Sequence, residues 1–256
     1  MLESLYISST GLISEQININ TVANNLSNIN TPAFKKGRAN FSEIISSQFG
    51  INDASFGDAI RRGNGVNIAE VTIEQTVGEL RPTENPLNLA ITGQGFFEVQ
   101  NNQGDVFYTR DGRLQIDDSG NIVTSQGLLL SEQINVPDTA NNIIFDLNGS
   151  VFATFQNEEE RIEIGQIQLA YFSNTHGLES LGGGLFTLTS DSGFPRYGLP
   201  GDENLGELRQ FHLEASNVDL TEEVLQLTVA QRAYQANARV VQTVDEMLRI
   251  NNELRR

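Results

Sequence analysis

The sequence predicts an α+β protein in which paired N- and C-terminal α-helices form an inner helical domain, with an antiparallel all-β domain in the middle. Both ends of the 256-residue chain carry apolar residues at helical spacing. The middle consists of short runs rich in Val, Ile, Phe and Thr, separated by turns that contain Gly, Asp and Asn. No helical pattern interrupts these runs, which favours antiparallel pairing.

Residues 1–34 are predicted to form the N-terminal helix of the inner domain. Residues 2–30 contain no proline. A seven-residue repeat, typical of a helix packed along a seam against another helix, consists of Leu5, Leu12, Ile19 and Leu26. Pro32 disfavours a helical backbone at Thr31, so the helix should end by about Asn30.

Residues 211–256 are predicted to contain the second helix. Asp219 followed by Glu222 resembles a capping box, and residues 220–254 contain neither Pro nor Gly. One apolar stripe consists of Leu220, Val224, Leu227, Tyr234, Val241 and Leu248. A second stripe, rotated around the helix, consists of Val229, Ala233, Ala236, Val240, Val244 and Met247. We expect one stripe to pack on the N-terminal helix and the other to need a further surface, in the same fold or on a neighbouring subunit.

Residues 71–210 are predicted to form a β-rich outer domain, and residues 35–70 an extended or loop connector. The connector assignment depends on Ser46–Gly65, which has weak periodicity and four glycines. The charge is uneven, because residues 41–199 carry 21 acidic and 7 basic side chains. The β-rich middle is therefore expected to be strongly acidic.

The composition excludes several classes of function. A net charge of −17 disfavours binding to nucleic acid, and no apolar run approaches the ~20 residues that membrane insertion needs. The chain has no cysteine, and His176 and His212 lack zinc-binding spacing. Residues 117–121 lack the spacing of a calcium loop, and no helix follows Gly93-Gln94-Gly95 as a dinucleotide site requires. We expect no catalytic, metal or cofactor site.

An Asn-rich block ends the first predicted helix. Asn24 and Asn28 share a helix face, and Asn25 adjoins it. Buried amides can fix the register between packed helices, whereas exposed amides would indicate a frayed helix end that passes into a turn. The residues alone leave both interpretations open.

Four segments carry a resemblance to a known family. VANNLSNINTPAFKKGRANF resembles the N-terminal signature of bacterial flagellar rod and hook proteins. The signature positions are Ala23, Asn24, Asn25, Leu26, Asn28, Thr31, Phe34 and Lys35. LAITGQGFFEV, YTRDGRLQIDDSGNIVTSQG and EASNVDLTEEVLQLTVAQRAYQANARVVQTVDEML resemble three further family segments in the same order. Ala33 stands where the family usually has Gly, so the turn there is expected to adopt a less extreme backbone conformation.

The resemblance implies a structural subunit that stacks helically into a hollow rod, with its terminal helices lining an export channel. The rod subunit directly beneath the hook matches best in length; a hook subunit or a proximal rod subunit is the alternative. The implied partners are further copies of the chain, other rod proteins, the hook protein, the P- and L-ring proteins and the flagellar type III export apparatus. The implied location is the basal body from periplasm to outer membrane, reached without a cleaved signal peptide.

Two other classes of function compete with this structural role. A binding module would use the Asn-rich block or the acidic β-face to recognise a soluble partner. A carboxylate-based glycan hydrolase would need a paired-carboxylate cleft, and the chain lacks tryptophan and an aromatic-rich substrate segment.

Overall fold

The computed structural model describes residues 2–46, 62–137, 139–155 and 161–254. Along the chain, the helix α1 (Leu2–Ser27) precedes the β-rich middle and the helix α2 (Leu220–Glu253) follows it. The strands are β1 Gly37–Ser46, β2 Arg62–Ile73, β3 Leu80–Pro82, β4 Leu89–Thr92, β5 Phe97–Gln100, β6 Val106–Thr109, β7 Leu114–Ile116, β8 Ile122–Thr124, β9 Leu129–Leu130, β10 Ala140–Phe145, β11 Ser150–Phe155, β12 Ile162–Gln166, β13 Leu169–Tyr171, β14 Glu179–Gly182, β15 Leu185–Thr187, β16 Arg196–Gly198, β17 Glu207–Gln210 and β18 His212–Glu214. These strands pair antiparallel, which confirms the predicted α+β class.

The chain divides into two compact units. The helical unit comprises Met1–Ser27, Gly37–Ile73 and Asp219–Arg256, and the β unit comprises Asn28–Lys36 and Glu74–Val218. The unit boundaries differ from the predicted ones. The strands at residues 37–46 and 62–73 belong with the helices, and residues 211–218 belong with the β unit.

The helical unit is built from α1, α2, β1 and β2. The Asp219 carboxylate begins α2 by accepting hydrogen bonds from the backbone N–H groups of Thr221 at 2.7 Å and Glu222 at 3.1 Å. α2 then runs for 34 residues, about 50 Å at the usual helical rise. Over the described residues, neither helix is long and apolar enough to cross a bilayer.

The structure corrects the prediction of a connector at residues 35–70. Residues 37–46 and 62–73 form a long antiparallel strand pair, from Gly37 opposite Ile73 to Ser46 opposite Arg62, and both strands pack against α1. Residues 47–61, on which the loop prediction largely rested, lie outside the described residues. The pairing was not predicted, because residues 37–46 were assigned to the connector without a partner strand.

The β unit contains one large sheet and several small ones. Seven strands pair in the order β14-β15-β6-β5-β9-β8-β7, and β10-β11-β12 form a three-stranded sheet. Three further pairs are β13-β16, β17-β4 and β18-β3. The core side chains are almost fully buried and include Leu89, Ile91, Phe97, Val99, Leu114, Ile122, Leu130, Val151, Ile167, Leu169 and Leu208. Their burial supplies most of the favourable free energy of folding for this unit.

Candidate self-assembly site

Small and polar residues make up most of the α1 face that is most buried in the helical unit. It consists of Ser8, Gly11, Ser14, Val22 and Asn25. Small residues let two helix backbones approach closely: a Cβ added at Gly11 would lie 2.7 Å from Asn237 Nδ2. The predicted seam row of Leu5, Leu12, Ile19 and Leu26 lies beside this face and is half-buried. Part of the row therefore remains open to solvent, and its role in assembly stays a prediction.

The α2 residues are divided differently from the two predicted stripes. Glu223, Ala230 and Val244 are buried, and Leu227, Val241 and Leu248 are half-buried. Tyr234, Val240 and Met247 are 37%, 43% and 53% exposed. Val244 of the second stripe is buried within the subunit and Tyr234 of the first stripe is exposed, so neither stripe is wholly buried or wholly exposed. The role of these residues in self-assembly stays a prediction. A row that advances by sevens contains the buried Glu223, Ala230 and Val244 and the half-buried Asn237. Two of its members are polar, so an apolar pattern does not detect it.

Rows of apolar side chains remain exposed on the helical unit. Each of the following is more than a third exposed: Tyr6, Ile7, Ile13, Ile17, Phe41, Val71, Leu220, Val224, Leu225, Val229, Val240, Met247, Ile250 and Leu254. Scattered exposed apolar residues are ordinary, but pairs three or four residues apart make continuous stripes on a helix. Met247, Ile250 and Leu254 are such a series, as are Leu225 and Val229. We call the exposed apolar side chains of α1 and α2 in this list, together with Leu254 at the end of α2, the exposed helix stripes.

Asn25 joins three elements of the helical unit. Its Nδ2 donates to the Gly37 carbonyl at 2.9 Å and to Glu223 Oε2 at 3.2 Å. Its Oδ1 accepts a hydrogen bond from the Gly37 N–H at 2.9 Å. Asn25 is 2% exposed, so this side chain fixes the register of α1, β1 and α2. Asn24 is exposed and Asn28 is half-buried.

The β unit contains a buried ion cluster that the sequence did not reveal. Glu214 Oε1 accepts from Lys35 Nζ at 2.5 Å, and Glu214 Oε2 accepts from Arg110 Nε at 2.9 Å. The three side chains are at most 3% exposed. Burial lowers the pKa of Lys35, and the nearby Glu214 carboxylate opposes that shift. Lys35 was singled out only as a signature position, and nothing in its spacing indicated a partner 179 residues away.

The turn that carries Lys35 has an unusual backbone. Ala33 adopts a left-handed conformation with φ of 57°, so the expectation of a less extreme backbone was wrong. Its N–H donates to the Glu214 carbonyl at 2.8 Å and its side chain is 2% exposed, so tertiary contacts hold the strained conformation. Within the same turn, Thr31 Oγ1 donates to Asn28 Oδ1 at 3.2 Å. Phe34 is half-buried, whereas Ala23 is exposed on α1.

Comparison with known proteins gives matches at the two ends and in the middle. Residues 5–35 match the family described as Flagella basal body rod protein, and residues 209–254 match Flagellar basal body rod FlgEFG protein C-terminal. Residues 90–153 match Flagellar hook protein FlgE/F/G D1 domain. The flagellar basal-body rod protein FlgG of Borreliella burgdorferi is 38% identical, with all of both chains covered. The chain belongs to the flagellar basal-body rod protein family.

Other relatives agree in name and extent. FlgG of Buchnera aphidicola subsp. Schizaphis graminum is 38% identical over 99% of this chain and 100% of the relative. FlgG of Bacillus subtilis is 32% identical over 97% of each chain. These matches confirm the predicted family and the predicted role as a structural subunit of the distal rod in the flagellar basal body. Lys35 and Glu214 lie in two different matched segments, one from each end of the chain.

Proposed function

We propose that this rod subunit polymerises helically through its exposed helix stripes into a hollow drive shaft that carries torque from motor to hook. The observation that carries this proposal is the set of apolar rows that the helical unit leaves uncovered. Fully burying one Leu, Val or Met side chain contributes about 1.5–3 kcal/mol, so contacts between copies can stabilise a polymer. The helix pair would line the export channel of that shaft.

The proposal extends to partners and location. The shaft would run from the periplasm to the outer membrane, continue other rod proteins and the hook protein, and turn inside the P- and L-rings. The subunit would reach its place through the flagellar type III export apparatus. The β unit is acidic and therefore suited to an outer surface, because a like-charged surface is hydrated and repels other acidic surfaces.

A paired substitution on α2 tests the role of the exposed helix stripes. Val240 is 43% exposed in the subunit and Val244 is 7% exposed. Val240→Asp should leave the monomer folded and prevent rods, because the charge would be buried only in the polymer. Val244→Asp should destabilise the monomer itself. Circular dichroism of the monomer and electron microscopy of isolated basal bodies separate the two effects. Normal rods from the Val240→Asp strain would contradict the proposal.

A hook subunit or a proximal rod subunit was the predicted alternative to the distal rod. The middle of the chain matches a family description that includes hook proteins, which is the observation that favours it. Labelling the chain in intact basal bodies distinguishes these positions, since a distal rod subunit must appear directly beneath the hook.

We propose no catalytic role and no soluble binding partner outside the flagellum. The buried charges of Lys35, Arg110 and Glu214 are paired with one another and closed to solvent, so they offer no reactive group to a substrate. In the described part of the chain, no cluster of three metal-binding side chains occurs. Light scattering of the concentrated protein tests the binding-module alternative, because a rod subunit should associate with itself.

A further inference from the structure

One aromatic side chain of the β unit projects into solvent from an ordered loop. Phe194 lies between β15 and β16 and is 92% exposed. Ser192 stabilises this loop. It is 1% exposed, and its Oγ donates to the Thr189 carbonyl at 2.9 Å. Asn174 Nδ2 donates to the Asp191 carbonyl at 2.9 Å and ties the loop to the rest of the unit. These bonds fix the loop that presents Phe194.

Such an arrangement contributes nothing to the folding of the subunit. An exposed phenyl ring contacts water in both the folded and the unfolded chain, so its burial can only occur against another molecule. A rigid aromatic side chain loses little conformational entropy on binding, and a buried aromatic ring is a frequent centre of binding energy. Phe194 therefore has the properties of an anchor for a protein contact.

The helical unit carries a groove of matching chemistry. It lies between α1, β1 and α2, has a volume of about 370 Å³, and its apolar lining includes Val22, Phe41, Leu225 and Val229. Among the described residues that line it, Arg38 is the charged one. The volume is at the lower end for small-molecule pockets, a size suited to one aromatic side chain and unsuited to a helix. We call this the helix–hairpin groove.

We propose that Phe194 of one copy inserts into the helix–hairpin groove of a neighbouring copy. Charge favours this pairing over contact between two β units, because the β unit carries 21 acidic and 8 basic residues and the helical unit 12 and 8. In the bound state, Asp191, three residues before Phe194, would approach Arg38, and the Arg38 guanidinium would lie over the phenyl ring.

The proposed contact has a consequence for assembly. A protrusion and a groove at different places on the same chain make a heterologous contact. Each contact uses the protrusion of one copy and the groove of the next, so both copies keep one free surface for a further copy. Such contacts generate open helical polymers unless the rotation closes a ring. The inference rests on the proposed function, and it assigns a specific occupant to the stripe of Leu225 and Val229, which lines the groove.

Cysteine cross-linking tests the contact directly, because the natural chain has no cysteine. Rods containing a mixture of the Phe194→Cys and Leu225→Cys variants should form disulfide-linked dimers on mild oxidation, and the double variant should form a ladder of higher oligomers. Leu147→Cys is the matched control, since Leu147 is also on the β unit and is 53% exposed. Mixed with Leu225→Cys, it should give no dimers.

The outcomes separate this inference from the function on which it rests. Rods that assemble normally but yield no dimers from the Phe194→Cys and Leu225→Cys mixture would overturn the inference alone, as would a double variant that cross-links only within one chain. A wild-type chain that forms no rods would overturn both. Phe194→Ala should raise the critical concentration for assembly by about tenfold or more and leave the monomer's thermal midpoint unchanged.

Discussion

Replacing Glu214 by Gln should lower the free energy of unfolding by about 3–5 kcal/mol. The Glu214 carboxylate accepts hydrogen bonds from Lys35 Nζ at 2.5 Å, the Gly78 N–H at 2.8 Å and Arg110 Nε at 2.9 Å. An amide keeps one acceptor oxygen, but its NH₂ group cannot accept from Arg110. The substitution also removes the anion that neutralises two buried cations. An uncompensated buried charge is the costly outcome of breaking such a cluster.

Comparing the stability costs of two substitutions tests the charge-balance reasoning more sharply than one substitution alone. Lys35→Met leaves Arg110 and Glu214 as a pair of one positive and one negative charge, so it should cost less than Glu214→Gln. Glu163→Gln, at an exposed position of the same unit, should change stability by at most about 0.5 kcal/mol. Urea titration of the full-length monomer, followed by circular dichroism, measures all three. If Lys35→Met costs as much as Glu214→Gln, the charge-balance reasoning is wrong.

The cluster also predicts a pH dependence. Burial lowers the pKa of Lys35 in the folded protein, so the unfolded chain binds more protons as pH falls below the ordinary lysine value. Removal of the Glu214 carboxylate should lower that pKa further. The stability deficit of Glu214→Gln should therefore shrink as pH rises from about 7 to about 10. A deficit that stays constant over this range would refute the assignment of a charged Lys35 to the cluster.

Three further predictions concern single positions of the β unit. Gly112→Ala should destabilise the unit by several kcal/mol in urea titration, because the added Cβ would overlap the backbone carbonyl of Leu89, whereas Gly104→Ala meets no atom and should cost about 1 kcal/mol for its positive φ. Ala33→Gly should raise the thermal midpoint by a few degrees by relieving the left-handed strain; a lowered midpoint would contradict this. Burial raises the pKa of Glu132, so its favourable contribution is present below its ordinary pKa and lost as pH rises. Glu132→Gln should therefore gain stability relative to wild type between about pH 4 and pH 8, measured as the difference in thermal midpoints.

The helices were predictable from the sequence because their signals are local. Asp219 caps α2 through N–H groups two and three residues away, and Pro32 acts on its immediate neighbour. Periodicity and turn residues likewise indicated short strands between the helices. The family resemblance depended on the same local strings, which is why fold class and family were both accessible before the structure.

Only the tertiary structure decided which residues are buried together. The pairing of β1 with β2 was not predicted, because the two strands are separated along the chain and no local pattern indicates which segments pair. The buried face of α2 includes Glu223, and a carboxylate is expected at the surface unless a partner such as Asn25 satisfies it.

Lys35 and Arg110 show most clearly that burial depends on partners distant in sequence. They lie 179 and 104 residues from Glu214, and a buried charge is tolerated only when its counter-charge arrives at the same place. That coincidence is a property of chain topology, since the pairing of β18 with β3 and the turn at residues 31–35 must both form before the cluster exists. No local pattern encodes it, because each of these side chains read alone is typical of a solvated surface.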